Sequence, residues 1–466
     1  QTFGLAQELP ELIVGVLGQR SICSSPLSRL WLLSEFPLTL ALVCPSLVSD
    51  TMIQQALSEL HASLDETVDA SGWKSPEAWA DSVALMASWT RCGFLCRAGR
   101  TRWFTGPQLD HWNAALRQLL RGDSLACGHA SDSVANAERL TSFDAITAAA
   151  VEFAGDAETR KLAKRRTERS AAAVAKAGKK RKNSKASLEI AEQNEQAQVA
   201  FLRDRWGNAA NRLQVYYHAQ QCELHLLSAS ASLLSGRCDQ RAFLNGTPAT
   251  IESGWEHVCW HTDEEGDYLE LELRMRGCRV QRQIVLARND GFALIADAIT
   301  SDQPVEWNYQ LSLPLAPGYR IHPAGETREV TIHQDRDRAR VIPLAAPEWR
   351  CDSRPGEVTF EDDRLVVHAQ GAGRALYVPV FIDLSAARIR QPLTWRRLTV
   401  AESLTPVSAD EAVAYRVQIG DRHWLAYREL GVRGNRTFFG KNICSDFFLG
   451  RFLPKKRDYE TIVEIE

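Results

Sequence analysis

Five residues able to do chemistry stand on alternate positions between 255 and 263: Trp255, His257, Cys259, His261 and Asp263. In an extended strand that spacing puts them all on one face. Imidazoles, a thiol and a carboxylate can ligate a metal, and an indole beside them can stack on a sugar ring. On a straight strand, however, His257 and His261 stand about 13 Å apart, too far to share one ion without a bend or a ligand from elsewhere. The binding candidates are therefore Trp255, His257, His261 and Asp263, with no metal and no cofactor expected. The plainer alternative is two surface histidines beside a hairpin.

Other candidates are isolated. His322, His333 and His368 each stand alone in sequence and read as ordinary surface residues. The Tyr216-Tyr217-His218 run puts one tyrosine on each face of a strand, one inward and one outward. No Gly-rich phosphate loop, no nucleophile elbow and no HExxH zinc pattern occurs, so no catalytic residue is assigned.

The elements that must position these groups follow from periodicity. Leu269, Leu271, Leu273 and Met275 alternate with Glu270, Glu272, Arg274 and Arg276, which predicts a strand with one apolar and one charged face. Gly266, Gly277 and the Asn289-Asp290-Gly291 turn punctuate it where hairpins need a positive φ. More strands follow one another from Ala200 to the end. They imply two large packed sheets or several stacked ones, with Trp255, Trp260, Trp307, Trp395 and Trp424 buried between them. Residues 1–155 read instead as helical. Apolar residues recur at spacings of three and four over 28–34, 51–64, 76–98 and 107–120, and Pro76 and Pro107 sit where helices start. The turn-rich stretch 92–104 could also form two short strands. The expected fold class is α+β multidomain: an N-terminal all-α domain (1–155), a basic, disordered linker (156–198) and a large antiparallel β-sandwich domain (199–466).

Charge is unevenly placed. The net charge of −3 hides twelve Lys/Arg and a single acid between 160 and 185, a local +11 that leaves −14 for the rest. Such a run is most simply a solvated connector, and without aromatics beside it for base stacking it argues against specific nucleic-acid readout. The eleven cysteines are scattered without a CxxC pair, which suggests a reducing, cytoplasmic setting. The chain starts with Gln, so an upstream segment could have been removed. No secretory signal is visible, and the apolar run 36–48, broken by Pro37 and Pro45, is too short to span a bilayer.

Three stretches resemble the heparinase II/III family of polysaccharide lyases. RQIVLARNDGFALIADAIT (282–300) is similar to the family's Arg-containing strand, turn, and strand carrying an Asp. VEWNYQLSLPL (305–315) is similar to the strand after it, and SWTRCGFLCRAGRTRWF (88–104) looks like a toroid helix with its connecting turn. The resemblance implies a partial α/α toroid followed by a multi-sheet β-sandwich, and β-elimination on a uronic acid-containing glycan as the activity if the chain is active. Family lyases carry a His-x-His-x-Asp motif early in the β domain. The corresponding stretch here, QCELHLLSASASLLSG (221–236), has only His225. The functional expectation is thus a divergent, non-catalytic heparinase-like protein with an acidic polysaccharide or a protein as partner. The alternative is a carbohydrate- or protein-binding β-sandwich scaffold tethered by the basic linker.

Overall fold

Side-chain caps decide where the helices begin. Ser25, Ser49 and Ser75 each accept a backbone N–H at the start of Pro26–Leu30, Asp50–Thr67 and Pro76–Ala80, and Thr105 forms a capping box with Gln108 at Gly106–Arg121. These elements come from a computed structural model that describes Gly15 and residues 25–101, 103–122, 135–167, 190–456 and 458–466. Helix Pro26–Leu30 passes through a π-helical turn, Trp31–Glu35, into Phe36–Val43. Trp73 lies stacked on Trp89 (5.7 Å between centroids) and edge-on to Trp79, all three fully buried.

The sequence left 92–104 open to two short strands. Instead, helix Ser82–Ala98 continues through Gly93. A Cβ on Gly93 would come within 2.5 Å of the Phe153 ring and 2.8 Å of Trp103, so the glycine admits these aromatics against the helix. Helices also extend past residue 155. Ala157–Thr167 is helical, its Leu162 is buried, and Arg166 donates to the carbonyls of Leu120 (2.9 Å) and Gly122 (2.5 Å). Residues 168–189, most of the expected basic linker, lie outside the described residues. The chain divides into two compact units, 1–169 with 194–199 and 170–193 with 200–466. No described helix is long and apolar enough to cross a membrane.

The β unit is a stack of antiparallel layers. Its centre is an eleven-stranded sheet that runs Glu256–Thr262, Gly266–Met275, Cys278–Ala287, Phe292–Pro314, Arg364–Asp383, Asp337–Pro343, Val330–His333, Arg320–Pro323 along its main path. One face packs on the sheet of strands between 192 and 237, through residues such as Leu269, Leu271, Leu273, Val215 and Leu224. The other face packs on a five-stranded sheet between 393 and 465, through Tyr268, Val285, Trp395, Trp424 and Phe447. A small four-stranded sheet covers the far side of that layer around Phe438. Trp255, Trp307, Trp395 and Trp424 are buried as expected, whereas Trp260 is only partly so.

The charged face of 266–276 is open at one end, where Arg274 and Arg276 are exposed, and covered by the overlying sheet at Glu270. Glu270 is 4% exposed and accepts from Arg428 Nη2 at 2.8 Å and from Tyr268 Oη at 2.6 Å. A carboxylate can sit there because a guanidinium from the overlying sheet is buried with it.

Candidate functional site

The structure separates the residues that alternation placed on one face. Strand Glu256–Thr262 is the edge of the central sheet, and its register with Gly266–Met275 slips between His257 and Cys259. His257 lies opposite Leu271, while Cys259 and His261 lie opposite Glu270 and Tyr268. The extra residue, Val258, is a β-bulge that reverses the facing beyond it. Trp255 and His257 therefore belong to the face carrying Leu271, and Cys259 and His261 to the opposite one.

Asp263, His261 and Trp255 each have a local partner. The Asp263 carboxylate accepts from the N–H groups of Glu265 (2.7 Å) and Gly266 (2.9 Å) and lies 3.3 Å from His261 Nε2, so it closes the hairpin turn. Burial raises its proton affinity, but these donors outweigh it and hold the carboxyl below its ordinary range. Trp255 is buried over the guanidinium of Arg282, 4.7 Å from the ring centroid. Arg282 in turn forms a two-pronged pair with Asp297 (2.8 and 2.9 Å), and Tyr309 Oη donates to the same carboxylate at 2.6 Å. The Arg and Asp of the 282–300 stretch are direct cross-strand partners with no solvent exposure. His225 is likewise buried, with Nδ1 3.2 Å from Ser235 Oγ.

An open groove lies elsewhere in the β unit. On strands Phe292–Pro314 and Arg364–Asp383, Trp307, Tyr309, Leu311, Val367 and Ala369 enter the core. The alternate residues Asn308, Gln310, His368 and Gln370 form a polar floor, with Asn308 opposite Gln370 and Gln310 opposite His368. Above it are three lobes of about 600, 330 and 190 Å³, and Pro355 and Gln370 line all three, which makes them one groove. That size suits a chain of small rings.

The groove walls come from the loop after strand Asp337–Pro343 and from strand Leu393–Leu398. The loop supplies Trp349, an indole 47% exposed, and Arg354. Arg328 pins this loop by donating to the carbonyls of Gly356 (2.8 Å) and Asp352 (2.9 Å). Gly356 has φ +127°, and a Cβ there would stand 3.0 Å from the Ala346 Cβ, so the wall needs glycine at this bend. The strand supplies Arg396 and Arg397, both exposed, which form no ion pair among the described residues.

Titration in the groove is governed by local pairing. Arg354 hydrogen-bonds both Asp352 oxygens, and with its own backbone N–H it holds that carboxyl down to about 2. His368 Nε2 is 3.1 Å from Thr359 Oγ1. Arg397 stands opposite Tyr415, whose phenol is pushed up by burial. The groove thus offers an indole for stacking, amides for hydroxyl groups and two guanidinium groups for anions. Sequence reading missed it because Trp349 lies in a loop without periodicity and the floor residues look like the ordinary polar half of a strand.

The sequence matches no family model and no curated protein. Solved structures do match the fold. A heparinase III structure superposes with a TM-score of 0.57 at 9% identity, over 87% of this chain and 65% of that one. Heparan sulfate lyase HepC from Pedobacter heparinus superposes with a TM-score of 0.54 at 10% identity, over 90% of this chain and 66% of that one. A further heparinase III structure gives 0.54 at 9% identity. The chain spans about 65% of the length of the first heparinase III structure it matches. Over most of its own length this α+β chain therefore has the fold of heparinase III, at a great distance in sequence.

Proposed function

We propose that this chain is a divergent heparinase-like protein whose β unit binds an acidic polysaccharide in the groove and does not cleave it. The groove itself is the observation that carries this reading: exposed Trp349 lines one lobe with Gln370, Arg396 and Arg397, and Asn308 and Gln310 line the adjoining lobe that shares Gln370. A pyranose ring stacks on the indole, its hydroxyls meet the amides, and a uronate or sulfate meets the guanidinium groups. In this reading the helical unit corresponds to a partial toroid and the layered sheets to the family's sandwich.

Elimination would need a base at the C5 proton, a group to neutralise the carboxylate and an acid for the leaving oxygen. In the groove, His368 is engaged by Thr359 and Asp352 is held as an anion against Arg354. His225, the one histidine of 221–236, is buried beside Ser235. These placements favour retention over cleavage. Calorimetric titration with heparan sulfate, an unsulfated uronate polymer and a neutral glucan tests the reading. The acidic polymers are expected to bind in preference to the neutral one, and Trp349→Ala and Arg397→Gln each to weaken them about tenfold. Unchanged affinity in both variants would remove the groove from the account. Growth of the ultraviolet band of an unsaturated uronate during incubation would show a lyase.

A further inference from the structure

The opposite edge of the central sheet carries a cluster that the groove does not use. Strand Arg320–Pro323 ends the sheet and pairs with Val330–His333, which turns through 334–336 into Asp337–Pro343. His322 lies opposite Thr331 and His333 opposite Arg320, so the two histidines are diagonal neighbours on one face. Their rings stack with centroids 4.4 Å apart and planes 26° apart. The register slips between Ile332 and His333, which sets Asp337 opposite His333, and His333 Nδ1 lies 2.9 Å from Asp337 Oδ1. One ligating atom from each of His322, His333 and Asp337 lies within 4.8 Å of the other two, the only such trio of His, Cys, Asp or Glu among the described residues.

We propose that His322, His333 and Asp337 bind one divalent transition-metal ion of the zinc type. Around a tetrahedral zinc with ligand bonds of about 2.0–2.2 Å, ligand atoms stand roughly 3.4 Å apart. Reaching that from the present spacing calls for rotation of one exposed and two half-buried side chains. Two imidazoles with one carboxylate suit zinc, copper or nickel, whereas calcium and magnesium want oxygens alone. Water completes the shell, since His322 faces solvent. Arg320 shares the face and opposes the cation, but it is exposed and can turn outward, which sets the affinity at a moderate level. The ion would clip the edge strand to its neighbour and blunt an open sheet edge. The same hairpin carries Arg328, which pins the groove wall.

The test uses the full chain, stripped with a chelator and titrated with zinc chloride, then with cobalt(II) chloride. One equivalent is expected to bind in the micromolar range, with visible cobalt bands of nitrogen and oxygen ligation and weaker binding on acidification, because protonated imidazole cannot ligate. His322→Ala and His333→Ala are expected to lose more than about tenfold in affinity. A Cys351→Ser/Cys444→Ser chain, lacking the two exposed described thiols, is expected to bind as before. His322 is exposed, so its variant should keep the circular dichroism of the parent. Absence of saturable binding, or equal affinity in the parent and the His322→Ala/His333→Ala chain, overturns the proposal.

Discussion

Replacing Arg282 by methionine should destabilise the β unit more than almost any other single change. The guanidinium and the Asp297 carboxylate have no solvent exposure. Arg282 donates twice to Asp297, once to the Cys238 carbonyl at 2.9 Å and once to Gln240 Oε1 at 3.1 Å. Burial works against its charge, but the neighbouring Asp297 carboxylate outweighs that, so Arg282 holds its proton more tightly than usual. Arg282→Met keeps much of the volume and leaves Asp297 with one remaining donor, Tyr309. Stranding one member of such a pair costs about 3–5 kcal/mol. At about 1.4 kcal/mol per factor of ten, hydrogen exchange in strands Cys278–Ala287 and Phe292–Pro314 should speed up by roughly two to four powers of ten. Exchange read peptide by peptide avoids mixing this unit's unfolding with that of the helical unit. The double change Arg282→Met/Asp297→Leu removes both charges and should recover most of the loss, leaving about 1 kcal/mol for the orphaned Tyr309 hydroxyl. A single-variant cost below about 1 kcal/mol, or a double variant worse than the sum of the singles, would refute the reasoning.

Three further outcomes can be checked. Arg328→Ala should raise proteolysis and exchange in 350–356 and weaken glycan binding several-fold while strand exchange elsewhere stays unchanged, because the loop carbonyls of Gly356, Asp352 and Arg350 lose their donor. Among the described cysteines of the native protein, alkylation mapped by mass spectrometry should mark Cys351 and Cys444 first; Cys96 and Cys278, whose thiols burial pushes up to about 11, should stay unmodified at pH 8 until the chain unfolds. The Asp352 carboxyl sits below its ordinary value, so its pairing with Arg354 should be complete above the usual carboxylate range and be lost only as pH falls through about 2. A carboxyl-carbon titration with its midpoint near 4 would contradict the observed pairing.

Strand alternation was legible wherever one residue in two is apolar. The 266–275 strand, the positive-φ turns at Gly277 and Gly291 and the buried tryptophans follow from local pattern, as do the helix starts at Pro76 and Gly106–Pro107, whereas Gly266 opens the strand without a positive φ. What alternation could not reveal was what covers the other face. Glu270 looks like a surface residue until Arg428, far along the chain, is placed on it. The one-face reading of Trp255–Asp263 failed for a smaller reason, since one bulged residue reverses every side chain after it and leaves no mark in composition.

The amino-acid sequence by itself determined the class of each half of the chain, because period and capping act over a few residues. Only the tertiary structure decided which polar groups meet. Trp349, Gln370 and Arg397 converge on a groove, and His322, His333 and Asp337 converge on a sheet edge. The reason is physical: strand pairing joins residues separated by tens of positions, and its register depends on turns and bulges that no local pattern records.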